Sequence, residues 1–228
     1  WTDELIDNVN THDFEIIKCK VNDNDVVGVV YSDWLRESTK FAYRTTNGWL
    51  QEEIDVGEGI GISLSKTQDE KPAALYIIGN DLIYTYRNNS KWISEKIAVI
   101  PRENSQWTSN GGIHKLCSLA FSSKNEPHIV YTSEKQDLTI ATKSEGTWSY
   151  EIITSIKYSK VSAVPSINFN TEDNPTIAFY NKTIDSINGD KAHLKIAEKK
   201  ENRWVISDIV TLPSVYLYGQ NRCKLLFS

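Results

Sequence analysis

The chain has no methionine, three cysteines, four histidines and six prolines in 228 residues. An odd number of thiols cannot supply a full disulfide framework. Neither Cys-x-x-Cys nor His-x-x-x-His spacing occurs, so no zinc site is expected. Apolar runs stop at five or six residues, as in Val26–Tyr31, and none spans a membrane. Acidic residues outnumber basic ones 30 to 25, a net charge of −5, which disfavours a nucleic-acid partner. Arginine occurs only at 36, 44, 87, 102, 203 and 222, in no cluster. No stretch of a dozen residues carries a helical apolar period. Ser-His-Asp order, a phosphate loop and a metalloprotease motif are all missing, so no cofactor is expected. With no initiator Met and a start at Trp1, the sequence reads as a processed product or an excised piece.

What it does have is repetition. A Trp followed by an acidic residue and an Ile recurs as Trp1-Thr-Asp-Glu-Leu-Ile, Trp49-Leu-Gln-Glu-Glu-Ile, Trp92-Ile-Ser-Glu-Lys-Ile, Trp148-Ser-Tyr-Glu-Ile-Ile and Trp204-Val-Ile-Ser-Asp-Ile. The intervals are 48, 43, 56 and 56 residues. Before each of the last four comes a second marker: Val27-Gly-Val-Val-Tyr31, Pro72-Ala-Ala-Leu-Tyr76, Pro127-His-Ile-Val-Tyr131 and Pro175-Thr-Ile-Ala-Phe179. Between the two stands a third: Lys40-Phe-Ala-Tyr, Leu82-Ile-Tyr-Thr, Leu138-Thr-Ile-Ala and Leu194-Lys-Ile-Ala. Chance does not place three markers in one order four times.

The third repeat shows the local structure best. Cys117–Phe121, His128–Tyr131, Leu138–Ala141 and Trp148–Ile153 are short runs rich in β-branched and aromatic residues, divided by polar turn-formers. Four strands per repeat of roughly 40–50 residues is the blade of a β-propeller. The expected fold is an all-β propeller of four-stranded antiparallel blades, about five of them. Four are complete, over 15–56, 60–99, 115–155 and 164–211. The fifth is split between 1–9 and 221–228. That split blade lacks its two middle strands, so a longer chain or a partner is expected to supply them.

The wording of the repeat, Ser-Leu-Ala-Phe121, Asn-Glu-Pro-His-Ile-Val-Tyr131 and Gly-Thr-Trp-Ser-Tyr-Glu151, resembles the blade unit of bacterial surface propellers of the BNR and sialidase-like group. Non-catalytic propeller lectins share that design. The resemblance implies a fold more than a function. The sialidase Asp-box, Ser-x-Asp-x-Gly-x-x-Trp, is not matched: the nearest stretch, Ser144-Glu-Gly-Thr-Trp148, lacks the Asp and the spacing.

Residues present in every blade are read as blade-builders. The recurring Trp packs between neighbouring blades, the Glu three residues later is a solvated outer-strand carboxylate, and Pro72, Pro127 and Pro175 open strands. Cys19, Cys117 and Cys223 fall on first strands as small buried apolar groups. Cys19 and Cys223 are neighbours able to pair if a five-bladed ring closes. Asn88-Asn-Ser and Asn181-Lys-Thr are glycosylation sequons in expected loops.

Function is sought where the repeat breaks. Loops between second and third strands, and those passing between blades, emerge on one propeller face. They are Ser32–Thr39, Ile100–Lys115, Tyr158, Asn181–Lys191 and Thr211–Arg222. The candidate ligand-binding residues there are Trp34, Arg36, Glu37, Trp107, His114, Tyr158, Tyr216 and Tyr218, since loops on a rigid scaffold carry binding groups. Trp34 and Trp107 stand outside the repeat and suit stacking on sugar rings. The expected function is a non-catalytic propeller, secreted or surface-exposed, recognising a glycan or a protein partner. One alternative is a glycosidase using loop carboxylates such as Glu37, Glu103, Asp185 or Asp190. Another is a structural module of a larger surface protein.

Overall fold

The computed structural model of the chain describes residues 3–7, 17–21, 26–33, 35–57, 59–67, 71–100, 117–156, 165–183, 189 and 191–213. Among them are sixteen β-strands and no helix, hence no helix long and apolar enough to cross a membrane. The strands form four antiparallel sheets of four, each a meander in which sequence neighbours are hydrogen-bonded neighbours. The chain divides into two units, Trp1–Ile97 and Ala98–Ser228.

In the first unit, one sheet is β1 (Ile17–Val21), β2 (Val27–Asp33), β3 (Ser38–Thr45) and β4 (Gly48–Val56). The other is β5 (Ile60–Lys66), β6 (Pro72–Ile78), β7 (Asp81–Asn88) and β8 (Lys91–Val99). The second unit holds β9 (Cys117–Phe121), β10 (Pro127–Thr132), β11 (Asp137–Ser144) and β12 (Thr147–Ser155). Its other sheet is β13 (Ser166–Phe169), β14 (Pro175–Thr183), β15 (Lys191–Lys200) and β16 (Arg203–Pro213). First strands lie beside each other within each unit, β1 by β5 and β9 by β13.

Position in the blade sets burial. Second strands are covered on both faces and nearly continuous in apolar residues: Ala73–Ile77 of β6 are all buried. Fourth strands are outer edges. In β4 and β12 the same positions are buried and exposed, with Ile54 and Ile153 as the only buried residues. Pro72, Pro127 and Pro175 do open β6, β10 and β14, where the missing N–H costs no ladder bond. Third and fourth strands slip register at Thr39/Lys40, Leu138/Thr139 and Leu194/Lys195. These β-bulges recur beside the second-strand Tyr31, Tyr131 and Phe179 and sharpen the twist of the outer strand.

Within the second unit the core is one cluster drawn from both sheets: Val130, Leu138, Ile140 and Ile153 meet Ile177 and Phe179. In the first unit Val29, Tyr31 and Ala42 pack with Ile6 and Trp49. Trp92 of β8 stands edge-on to Phe41 of β3, ring centroids 5.2 Å apart.

Three expectations are corrected. Cys19 is exposed, not buried. Nor do the two cysteines match: Cys19 lies opposite Val29, whereas buried Cys117 lies opposite Tyr131, so they sit two residues apart in the repeat. Cys19 is a free thiol, and its suggested partner Cys223 lies outside the described residues. The expected loop from Asn181 to Lys191 is shorter, because β14 runs on to Thr183, paired with Lys191, and takes the sequon at Asn181 into a strand. Likewise β16 extends through Thr211 to Pro213.

Candidate functional site

The recurring Trp and Glu prove to be halves of one contact. Glu52 of β4 accepts at Oε2 from Trp92 Nε1 (2.9 Å) and at Oε1 from Arg87 Nη2 (2.6 Å), both on the following blade. One position earlier, Glu4 accepts from Trp49 Nε1 (3.1 Å) and pairs with Arg44. In the second unit Glu151 of β12 pairs with Lys199 of β15, whose ammonium also lies 5.4 Å from the Trp204 ring. Residues 3–7 belong to no strand, yet Glu4, Ile6 and Asp7 meet the first blade as β4 meets the second.

So Glu4, Glu52 and Glu151, expected as solvated outer-strand carboxylates, keep part of their surface in solvent but have a second role. They are inter-blade acceptors, and they leave Trp49 and Trp92 with their indole N–H occupied. A second contact runs in parallel, six residues after the repeat Trp. Tyr31 Oη donates to Asp7 (2.9 Å) and Tyr76 Oη to Asp55 (3.1 Å). Burial and these carboxylates push both phenols well above their usual range. Where the matching acceptor position holds Thr154, the next second strand carries Phe179, which has no hydroxyl.

The repeat is broken most clearly at the β2–β3 turn. Leu35, Arg36 and Glu37 form the turn, and Glu37 adopts a positive φ of 47°. The Glu37 carbonyl accepts from Gly57 N–H at 2.5 Å. Thr39 Oγ1 donates to the Gly57 carbonyl and accepts from Gly59 N–H, both at 2.9 Å. A Cβ on Gly59 would lie 2.6 Å from that hydroxyl, so this close approach needs glycine. The second-to-third-strand turn and the crossing to the next blade thus share one end of the first blade, as the propeller reading expected of such loops.

Under this turn lies Asp33, whose side chain has no solvent exposure. Its Oδ2 is 2.5 Å from Arg36 Nη1 and 2.7 Å from Lys40 Nζ. Lys40 also reaches Asp7 Oδ2 at 3.1 Å. Burial alone would raise the Asp33 carboxyl, but hydrogen bonds from Lys40 and Arg36 outweigh it and hold the group below the usual carboxylate range. Arg36 keeps 58% of its side-chain surface in solvent.

Of the sequence candidates, Arg36 and Glu37 therefore stand together on this turn, both exposed. Trp34, Trp107, His114, Tyr158, Tyr216 and Tyr218 lie outside the described residues, as do Glu103, Asp185 and Asp190. Sequence reasoning missed Asp33 and Lys40, which read as loop and strand filler. The signal was present: positions matching Asp33 hold the uncharged Ile78, Ser133 and Asn181. Among the described residues no group of His, Cys, Asp or Glu has the makings of a metal site.

No family model and no curated protein matches the chain. Solved structures do. A fucose-specific lectin from Aleuria aurantia aligns over 83% of this chain and 57% of its own, at 11% identity and a TM-score of 0.52. AofleA from Arthrobotrys oligospora aligns over 82% of this chain and 55% of its own, at 12% identity and a TM-score of 0.51. The chain spans a little more than half the length of these proteins. At such identity the likeness carries the fold, and together with four antiparallel four-stranded sheets it makes this an all-β chain of the β-propeller class.

Proposed function

We propose that the chain is a non-catalytic binding propeller that recognises a glycan through the loops at the β2–β3 end of its blades. The observation carrying this reading is the division of labour among its polar and aromatic residues. The repeated Trp49, Trp92, Glu4 and Glu52 are spent on holding blades together. Arg36, matched in the third blade by Lys135 above an uncharged Ser133, is anchored beneath by Asp33 and exposed above. Trp34 adjoins this turn in sequence, and Trp107 stands outside the repeat in the same way. An aromatic face beside fixed hydrogen-bond donors suits a sugar ring, which offers C–H bonds on one face and hydroxyls at its rim. The likeness to a fucose-specific lectin adds to the reading without naming this chain's sugar.

A secreted or cell-surface location and kinship with BNR-type surface propellers go with this proposal. The test is a glycan array probed with the wild type, Trp34→Ala and Trp107→Ala. Wild-type binding lost in both variants, with unchanged circular dichroism, supports it. Absence of binding together with turnover of a chromogenic glycoside would replace it with a glycosidase. A protein ligand recognised by the same loops would appear as Trp34-dependent capture of that protein and an empty array.

A further inference from the structure

The charged cluster beneath the β2–β3 turn asks for an explanation that blade construction does not provide. A buried carboxylate is costly unless paired, and blades two to four do without one, with Ile78, Ser133 and Asn181 at the matching positions. Asp33 grips both ends of a single residue. Its Oδ2 takes Arg36 Nη1 at 2.5 Å, and its Oδ1 faces the Arg36 backbone N–H at 3.4 Å. The guanidinium is planar, so one anchored edge fixes where its remaining N–H donors point. The side chain as a whole keeps 58% of its surface in solvent.

The charges add up in a telling way. Lys40 bridges Asp33 and Asp7, at 2.7 and 3.1 Å. Two carboxylates and two cations make a neutral set, in a chain whose net charge is −5. An acidic ligand meets no uncompensated cation there. A neutral polyol meets donors already oriented, without the entropy of ordering a long side chain.

We propose that Asp33 is a positioning residue that holds Arg36 as a hydrogen-bond donor to the hydroxyls of a neutral sugar at the β2–β3 end of the first blade. This rests on the glycan-binding reading and adds to it a residue and a ligand class. It is tested on an array carrying neutral, sialylated and sulfated oligosaccharides, with affinity then measured for the tightest neutral one.

Arg36→Lys keeps the charge, loses the fork and sits at the surface, so it folds even where Asp33→Asn does not. Each single variant is expected to bind about tenfold more weakly, and the double variant no more weakly than either alone, because the two act as one unit. A purely structural Asp33 would instead lower stability and leave affinity in the folded fraction intact. Wild-type affinity is expected to hold at roughly 0.5 M salt, since no net charge is recognised. Single variants binding like the wild type, or losses that multiply in the double variant, overturn the positioning role. Binding confined to acidic glycans and lost in salt overturns the ligand class while the glycan reading stands. A wild type that binds nothing on the array ends both.

Discussion

Trp204 Nε1 is buried, and among the described residues it finds no hydrogen-bond partner, although its counterparts Trp49 and Trp92 both do. A difference in the neighbouring cation accompanies this contrast between the second and fourth blades. Where the third strand supplies arginine, as at Arg87, the fork takes Glu52 Oε1 and leaves Oε2 for the indole. At the fourth blade the cation is Lys199, whose ammonium takes Glu151 Oε2. Lys199→Arg, whose planar fork can orient the Glu151 carboxylate as Arg87 orients that of Glu52, is expected to satisfy the indole and stabilise the fold by about 1 kcal/mol. Urea denaturation of the two proteins checks it, and an unchanged or lower midpoint counts against the assignment. His128 gives a pH-dependent counterpart. Its ring stands edge-on to Phe169 at 4.8 Å, with Nδ1 3.0 Å from the Glu126 carbonyl. Burial lowers its pKa, against the smaller opposing pull of Glu126 and Asp173, with Lys199 adding to the depression. Between the ordinary value near 6.5 and the folded one, the unfolded chain binds more protons, so stability rises with pH there. Thermal melts are expected to drop as pH falls below about 6.5, more steeply for the wild type than for His128→Gln.

At the scale of elements, the crossing from β4 to β5 is the tightest joint described. Gly57 has a φ of +115°, its N–H reaches Glu37, and a Cβ there would lie 2.8 Å from Ile78 Cγ2 of the second blade. Gly57→Ala is expected to cost about 1–3 kcal/mol. Gly146, in the β11–β12 turn, also has a positive φ, 81°, but open space around it. Gly146→Ala serves as the control, and its loss in denaturant midpoint should be the smaller. Elements were the most legible level of the sequence. The apolar runs at Val27–Tyr31, Pro72–Tyr76 and Pro127–Tyr131 announced the second strands, because a strand covered on both faces needs little but apolar residues. Strand ends were less legible: polar Asn181 and Lys182 look like loop but pair with His193 and Ala192. The site was less legible still. Composition marks Arg36 and Glu37 as turn residues, but only geometry reveals that Asp33 lies beneath them, since burial of a carboxylate leaves no trace in hydropathy.

For the molecule as a whole, period spoke louder than composition. Five recurrences of Trp showed that one design is used again and again, and the four sheets follow it. What the period did not disclose is that Trp and Glu of the same repeat never serve each other. Glu4 and Glu52 each serve the blade that follows, and Trp49 and Trp92 the acceptor that precedes. Donor and acceptor therefore lie on opposite sides of a blade, a head-to-tail contact of the kind that propagates. Such wiring favours growth by gene duplication. A second copy of β5–β8 inserted in tandem would carry its own Arg87 and Trp92 to the Glu95 of the first, so the new junction arrives already complementary. The Asp–Tyr contact is less forgiving, because a blade with Tyr76 placed after Thr154 would lose its acceptor. A chain built this way gains copies freely and fixes their order one residue pair at a time.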